Sequence, residues 1–339
     1  MSLTMSISEE LELLAQGKPL SDEQADFMFG ELMDGRMTEA QTGAFLMGLR
    51  AKGEDSTDLA AGVRAGVAHA KKIPGYDGSR TSPVVDTCGT GGDGQCSFNN
   101  STAVSLFLAD MGFTVAKHGN RALSSSCGSA DALEALGIPL EQTPEEAAAG
   151  LEKYNFAFLF APAYHPAFKY VMPVRQELGI RTLFNFMGPL LNPARPSHQL
   201  MGVGDPSKLE LMGETLLLTG VKRALIFAGA GGFDELTTWG VNRGYVVKDG
   251  VMEKVAVDPS HLGFQKHDPV DVRVDGKDDA VAKIRDILAG KGPKAMMDMV
   301  ALNLAGCLHL LDRGSMAECA DIARDVVNQG LTKGIPYVG

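Results

Sequence analysis

The pattern of apolar positions changes once along the chain. From position 5 to about 72, apolar residues recur at helical spacing, with Phe27, Leu32, Phe45, Leu46 and Leu49 supplying the apolar faces. Ser21-x-x-Gln24 and Thr38-x-x-Gln41 precede two of these runs with the spacing of a capping box, in which each side chain satisfies the other residue's backbone N–H. A stretch rich in Gly, Pro and Ser at 73–83 then separates this helical unit from a different grammar. Short apolar runs at 84–86, 113–117, 156–160, 200–203, 223–228 and 245–247 read as strands, and 101–111 and 130–136 read as helices between them. Three more helical runs close the chain, the last capped by Ser315-x-x-Glu318. Alternation of this kind predicts an α/β fold: a small all-helical N-terminal domain plus a larger α/β domain with a mainly parallel central sheet.

Two of the expected strands end in polar, glycine-rich turns, DTCGTGGDG at 86–94 and KHGNR at 117–121. If the two strands are parallel neighbours, both turns open on the carboxyl edge of the sheet, where α/β folds bind ligands. Four glycines within 89–94 expose backbone N–H groups, and Lys117 and Arg121 bring positive charge. Together they read as a cradle for a phosphorylated small molecule. Gly89, Gly91 and Gly94 also match G-x-G-x-x-G, with Asp110 about twenty residues on. In the dinucleotide-binding fingerprint that acid ends the second strand, whereas Asp110 falls at the end of an expected helix, so the dinucleotide reading is rejected. Asn99, Ser101 and Thr102 stand at the start of that helix, as ordinary caps or as donors to a phosphate at its N-terminus.

Composition narrows the field. A net charge of −11 leaves no basic face for broad nucleic-acid contact, so any field that attracts an anion must be local. No apolar run approaches the length of a membrane span, and no charged-then-apolar leader opens the chain, so a cytoplasmic protein is expected. Five cysteines without metal-ligand spacing read as reduced thiols. Arg175, before Gly179, is either a surface cation or a clamp for a carboxylate, and Asp234-Glu235 after Gly231-Gly232 reads as an exposed turn.

The segments GTGGDG, FNNSTA, KHGNRALSSSCGSADALEALG, FLFAPAYHPAFKYVMPVRQELGIRTLFNFMGPLLNPA and GFDELT occur in the order found in anthranilate phosphoribosyltransferases, and the resemblance covers essentially the whole chain. It implies a nucleoside phosphorylase/phosphoribosyltransferase-like fold. Its helical domain would span 1–75 with a returning segment near 175–195, and its donor-binding α/β domain 80–339. It further implies transfer of a phosphoribosyl group from 5-phosphoribosyl-1-pyrophosphate (PRPP) to anthranilate in L-tryptophan biosynthesis. The other implications are Mg²⁺ as cofactor (two ions), small-molecule substrates without nucleic acid or membrane, and a homodimer.

By the same resemblance, Gly89, Thr90, Gly91, Gly92, Asp93, Ser97, Asn99, Ser101, Thr102, Lys117 and Ser129 would hold the donor. Gly89, His118, Asn120 and Arg175 would meet anthranilate, and Ser101, Asp234 and Glu235 the metal. No residue is singled out as catalytic, because the implied mechanism works by positioning. Ser97 replaces a frequent threonine, Ser126-Cys127 a frequent Lys-Ser pair, and Phe168 a position that is tyrosine in other members. A pyrimidine nucleoside phosphorylase and a nucleic-acid-binding paralogue are the competing readings; the intact donor loop and the acidic charge speak against them.

Overall fold

Capped amphipathic helices open the chain of the computed structural model, which describes residues 5–91, 98–121 and 128–338. The first four are α1 (Ile7–Ala15), α2 (Asp22–Met33), α3 (Glu39–Lys52) and α4 (Ser56–Ala68). Both expected capping boxes form, Ser21 with Gln24 and Thr38 with Gln41, and a third, Asp55 with Asp58, starts α4. Met28, Phe29, Leu32, Phe45, Leu46, Leu49 and Leu59 are buried between them, while Phe27 lies at the margin of this core.

The second pattern builds a seven-stranded sheet. In chain order it comprises β1 (Val84–Gly89), α5 (Asn100–Asp110), β2 (Thr114–Gly119), α6 (Ser129–Ala135), α7 (Pro144–Tyr154) and β3 (Phe156–Phe160). There follow α8 (Ala161–Tyr164), α9 (Met172–Leu178), α10 (Phe184–Met187), β4 (His198–Gly202), α11 (Leu209–Leu218), β5 (Arg223–Ala228), β6 (Asn242–Lys248) and β7 (Val251–Val257). Helices α12 (Lys277–Leu288), α13 (Lys294–Leu310) and α14 (Met316–Gln329) complete the chain. The spatial order is β3-β2-β1-β4-β5-β6-β7; the first five are parallel, and β6 and β7 form an antiparallel edge.

All six expected strands form. The seventh, β7, is not foreshadowed in the sequence, because its solvent-facing positions break the apolar run. Strand β1 runs on to Gly89 and β2 to Gly119, so the ladders continue into the polar turns. The strand order reverses at β1, with β2 and β3 added on one side of it and the parallel β4 on the other, and this switch point at the carboxyl edge is where a ligand crevice is expected.

Helix α13 is buried along nearly its whole length and packs with α5 and α14, in a core built from Phe107, Val300 and Leu304 that also takes Ile284 from α12. The other face of the sheet joins the N-terminal helices through one core, in which Met201, Met212 and Ile226 share a cluster with Phe29 and Leu46. Val171, Leu183, Phe184, Met187 and Leu191, from the segment around α9 and α10, belong to that same core. Asp110, at the end of α5, accepts from Thr332 N (2.9 Å), Thr332 Oγ1 (2.8 Å) and Lys333 N (2.7 Å). It pins the C-terminal segment and does not face the switch point. Among the described residues, no helix is long and apolar enough to cross a membrane.

Candidate active site at the carboxyl edge of the sheet

Gly89 of β1 and Gly202 of β4 are register partners at the switch point, and the turn carrying Asp234 and Glu235 lies across them. A Cβ on Gly89 would stand 2.2 Å from Asp234 Oδ2, and one on Gly202 would stand 1.6 Å from the Asp234 carbonyl oxygen. Only glycine allows so close an approach. Gly91 N donates to Asp234 Oδ2 (2.8 Å), Thr90 N to Gly202 O (3.0 Å) and Gly204 N to Thr90 Oγ1 (3.0 Å). The glycine-rich loop after β1 and the acidic pair thus converge, although they are more than 140 residues apart in sequence. Gly231 and Gly232, with φ of +87° and +85°, supply the left-handed backbone that starts the turn.

Lys117 stands at the end of β2, almost fully buried. Its Nζ donates to Thr87 O (2.7 Å) and Ser101 Oγ (3.1 Å), which ties β2 to β1 and to the first turn of α5. Burial pushes its pKa down, and the nearby Asp86 carboxylate works to raise it. Asp86 itself is fully buried; that burial lifts its pKa to about 6, opposed by Lys117 and by Asn192, whose Nδ2 donates to Asp86 Oδ2 at 2.9 Å. Asn99 occupies the N-cap of α5, Ser101 is half-buried, and Thr102 is buried with its hydroxyl unpartnered among the described residues.

Ser129 opens α6, and its Oγ donates to Asn120 O (3.3 Å), so it joins Asn120 at the mouth of the β2 turn. Arg121 departs from the expectation of a phosphate-facing cation. Its guanidinium is tied to Asp131 (2.9 Å) and Glu134 (3.0 Å) on α6, because those two acids face it one helical turn apart. Gly92, Asp93 and Ser97, together with Gly94, Cys96, Ser126 and Cys127, lie outside the described residues.

A row of rings leads from this edge toward the helical side. His118 and His165 pack edge to face at 5.2 Å, His165 and Phe168 at 5.4 Å, and Phe168 and Phe184 at 5.6 Å. The Arg175 guanidinium lies 5.4 Å from the Phe184 ring centre. One of its terminal nitrogens donates to Asn185 Oδ1 (3.3 Å), its buried Nε has no partner, and no carboxylate pairs with it among the described residues. Burial lowers its pKa. A partly desolvated guanidinium with an unused donor is well placed to grip a ligand carboxylate. The family resemblance pointed to Arg175, His118 and the Phe168 position, whereas His165 and Phe184 were missed because single aromatic residues in an apolar stretch read as core.

Burial pushes the pKa of His118 down to about 3 and that of His165 to about 4, so both imidazoles are neutral near pH 7. Below pH ~6.5 the unfolded chain takes up protons at both sites that the fold refuses. Their contribution to stability is therefore complete above that pH and is lost as pH falls toward 4 and 3, by up to about 1.4 kcal/mol per pH unit for each. Asp86, with its pKa raised to about 6, opposes them, since its protonation favours the fold as pH falls through that value. Burial brings the pKa of His198 to about 4 as well. Three depressed imidazoles outweigh Asp86 and His69, whose ring pKa is held up by its bonds to Ala65 O and Asp34, and the melting temperature is expected to drop between pH 7 and pH 5. A flat or rising melting temperature over that interval would contradict the buried neutral histidines.

Residues 8–70 match a family described as "Glycosyl transferase family, helical bundle domain", and residues 81–333 match "Glycosyl transferase family, a/b domain". Fold and site therefore define a two-part glycosyl transferase. Anthranilate phosphoribosyltransferase of Nitratidesulfovibrio vulgaris is 53% identical over 309 residues, 90% of each chain. The solved anthranilate phosphoribosyltransferase of Thermus thermophilus superposes with a TM-score of 0.87 at 37% identity, over 95% of both chains. The Saccharomyces cerevisiae enzyme in complex with PRPP and Mg shares the fold, with a TM-score of 0.83 at 22% identity over 96% of this chain and 94% of that one. This chain belongs to the anthranilate phosphoribosyltransferase family.

Proposed function

We propose that the protein transfers the phosphoribosyl group of PRPP to the amine of anthranilate, releasing pyrophosphate and forming N-(5-phosphoribosyl)anthranilate for L-tryptophan biosynthesis. The observation that carries this reading is the convergence of the glycine-rich loop, Lys117 and the Asp234–Glu235 turn on the switch point of the sheet. The arrangement brings a glycine-rich loop, one cation and two carboxylates to a single edge, as a phosphorylated donor held with a divalent ion requires. Three or more metal-binding side chains nowhere cluster among the described residues. That fits Mg²⁺, which binds through one or two carboxylates and takes its other ligands from phosphates and water. Asp234, Glu235 and the Ser101 hydroxyl would hold it, and a second ion is part of the proposal. When bound, the metal neutralises the charge that builds on departing pyrophosphate.

The chain's own residues do the rest. Gly89, Thr90 and Gly91 line the donor site, together with Gly92, Asp93 and Ser97 of the same loop, with Thr90 and Gly91 held in place by their N–H bonds to Gly202 O and Asp234 Oδ2. Asn99, Ser101, Thr102, Lys117 and Ser129 hold its phosphates, the fixed Lys117 ammonium meeting charge without reorganisation. Arg175 grips the anthranilate carboxylate, and Asn120 and His118 line that pocket with Gly89. The amine nitrogen then forms the new bond to the anomeric carbon as the anomeric C–O bond to pyrophosphate breaks, and the nitrogen releases its extra proton. The aromatic amine is unprotonated at neutral pH, and neutral His118 and His165 do not have to serve as bases. Holding the reactants in line supplies much of the acceleration.

We assign residues 1–75 and the segment 175–195 to one lobe and 80–339 to the other. Anthranilate enters from the helical side and the donor from the sheet side. In our reading the protein is cytoplasmic and forms a homodimer through the helical lobe. Arg175→Ala is expected to raise the anthranilate KM about ten- to a hundredfold, the worth of roughly 1.5–3 kcal/mol for hydrogen bonds to a charged group, and to leave the PRPP KM within about twofold. Equal effects on both would sink the clamp. The activity itself is tested by following anthranilate fluorescence with purified protein, PRPP and Mg²⁺. Loss that needs both donor and metal supports the proposal, and no loss with folded protein refutes it.

A further inference from the structure

The Asp234–Glu235 turn is fixed from both sides by buried asparagine amides. At its start, Gly229 N donates to Phe233 O (2.8 Å), and Trp239 Nε1 reaches back to Ala230 O (2.7 Å). Immediately after Glu235, Leu236 N donates to Asn303 Oδ1 (3.0 Å), and Asn303 Nδ2 donates to Leu236 O (2.8 Å). The same Nδ2 donates to Met299 O (2.8 Å), one turn back on α13. One residue further on, Thr237 N and Oγ1 donate to Asn242 Oδ1 (2.8 and 3.0 Å), and Asn242 Nδ2 returns a bond to Thr237 O (3.0 Å). Asn303 and Asn242 are only 2% and 1% exposed.

A buried amide that uses both donor hydrogens and its acceptor has a single orientation, since any rotation leaves polar groups unpaired at about 1–3 kcal/mol each. Asn242 sits at the start of β6, next to the turn it closes, and is accounted for as local loop chemistry. Asn303 is different. It projects from the middle of α13, between the apolar residues 299–302 and 304–308, and that helix also packs on α5, whose first turn carries Ser101. An apolar residue there would fill the core without the desolvation cost. The amide gains a two-way bond to the backbone of the residue that follows the acidic pair.

We propose that Asn303 is a positioning residue that sets the Asp234–Glu235 turn, through Leu236, for magnesium-bound pyrophosphate. It touches neither substrate nor metal; it fixes where the two carboxylates stand relative to Gly89 and Ser101. The ligand side of this inference rests on the transferase reading above, while the clamp itself does not.

Three variants of the full chain separate the possibilities: Asn303→Ser, which cannot reach both Leu236 groups; Asn303→Gln, which keeps the amide on a longer stem; and Val327→Ala, which loosens the neighbouring α14 without touching the clamp. Hydrogen exchange in the ligand-free protein is expected to show amide protection at 236–237 reduced at least tenfold in Asn303→Ser but not in Val327→Ala. Calorimetry with Mg²⁺ and pyrophosphate is expected to show affinity reduced about tenfold or more in Asn303→Ser, partly recovered in Asn303→Gln and unchanged in Val327→Ala. The PRPP KM is expected to follow the affinity, with the anthranilate KM within twofold. Wild-type affinity in a folded Asn303→Ser, or equal losses in Asn303→Ser and Val327→Ala, would overturn the proposal. Failure of the wild-type protein to bind magnesium pyrophosphate would instead overturn the transferase reading, and the ligand side of this inference with it.

Discussion

Turnover of the double variant Asp234→Asn, Glu235→Gln is expected to fall at least about a thousandfold, while its melting temperature stays within a few degrees of wild type. Both substitutions keep side-chain shape and remove charge. Asp234 Oδ2 accepts from Gly91 N at 2.8 Å, a bond that the carbonyl oxygen of an asparagine can also accept, so the glycine-rich loop should stay anchored. What disappears is the pair of negative charges that brings a divalent ion to the departing pyrophosphate. A thousandfold loss corresponds to about 4 kcal/mol of transition-state stabilisation, within the several kcal/mol that a Lewis-acidic ion supplies. Steady-state kinetics at saturating PRPP and anthranilate, over a Mg²⁺ titration reaching tens of millimolar, makes the measurement. Near-normal turnover at high Mg²⁺ would remove the metal-holding role from this turn. A melting temperature lowered as far as the turnover would mean that the acids act by holding the fold.

The acidic pair also shows where sequence reasoning stops. Ser21, Thr38 and Ser315 announce their helices because a cap and its partner are three residues apart, and all three boxes form. The parallel strands were legible for a related reason: strands buried on both faces are written as continuous apolar runs. Residues 245–247 hinted at β6, yet β7 stayed hidden, since an antiparallel edge wetted on one side resembles a polar loop. At the site, local signals found Gly89, Lys117 and Ser101, which lie on turns with distinctive composition.

Asp234 and Glu235 were a different case. Their neighbours in space come from β1, more than 140 residues earlier, and only a family resemblance assigned them a role. Arg121 shows the opposite error. The charge was visible in sequence, but its neutralisation by Asp131 and Glu134 depends on where α6 is docked. Asn303 had no local signal at all, since one amide in a run of apolar residues takes its meaning from the carbonyl it meets.

Gly202→Ala is the substitution expected to do the most damage for the fewest atoms. The position ends β4, pairs in register with Gly89 and Phe227, and is followed by Val203-Gly204, so the sequence marks it only as a glycine at a strand end. A Cβ there would lie 1.6 Å from Asp234 O and 2.3 Å from Asp234 C. Those are backbone atoms, and no rotamer change can relieve the clash. The Gly89 clash is milder in kind, because its nearest atom, Asp234 Oδ2, belongs to a side chain that can swing away.

For Gly202→Ala the whole turn has to lift off the sheet, yet Leu236 and Thr237 are held by Asn303 and Asn242. Either the amide clamps break or β4 shifts, and overpacking of this kind costs typically about 1–3 kcal/mol. The expected result is a melting temperature several degrees lower and a turnover reduced about a hundredfold or more, with the PRPP KM raised and the anthranilate KM nearly unchanged. Addition of Asn303→Ser to Gly202→Ala sharpens the test. If the clamp is what resists the displacement, the second substitution should cost much less stability in the Gly202→Ala background than alone, by at least about 0.5 kcal/mol, as residues sharing one constraint couple. Strict additivity of the two stabilities would mean that the turn yields elsewhere, and that the glycine and the amide do not act on it together.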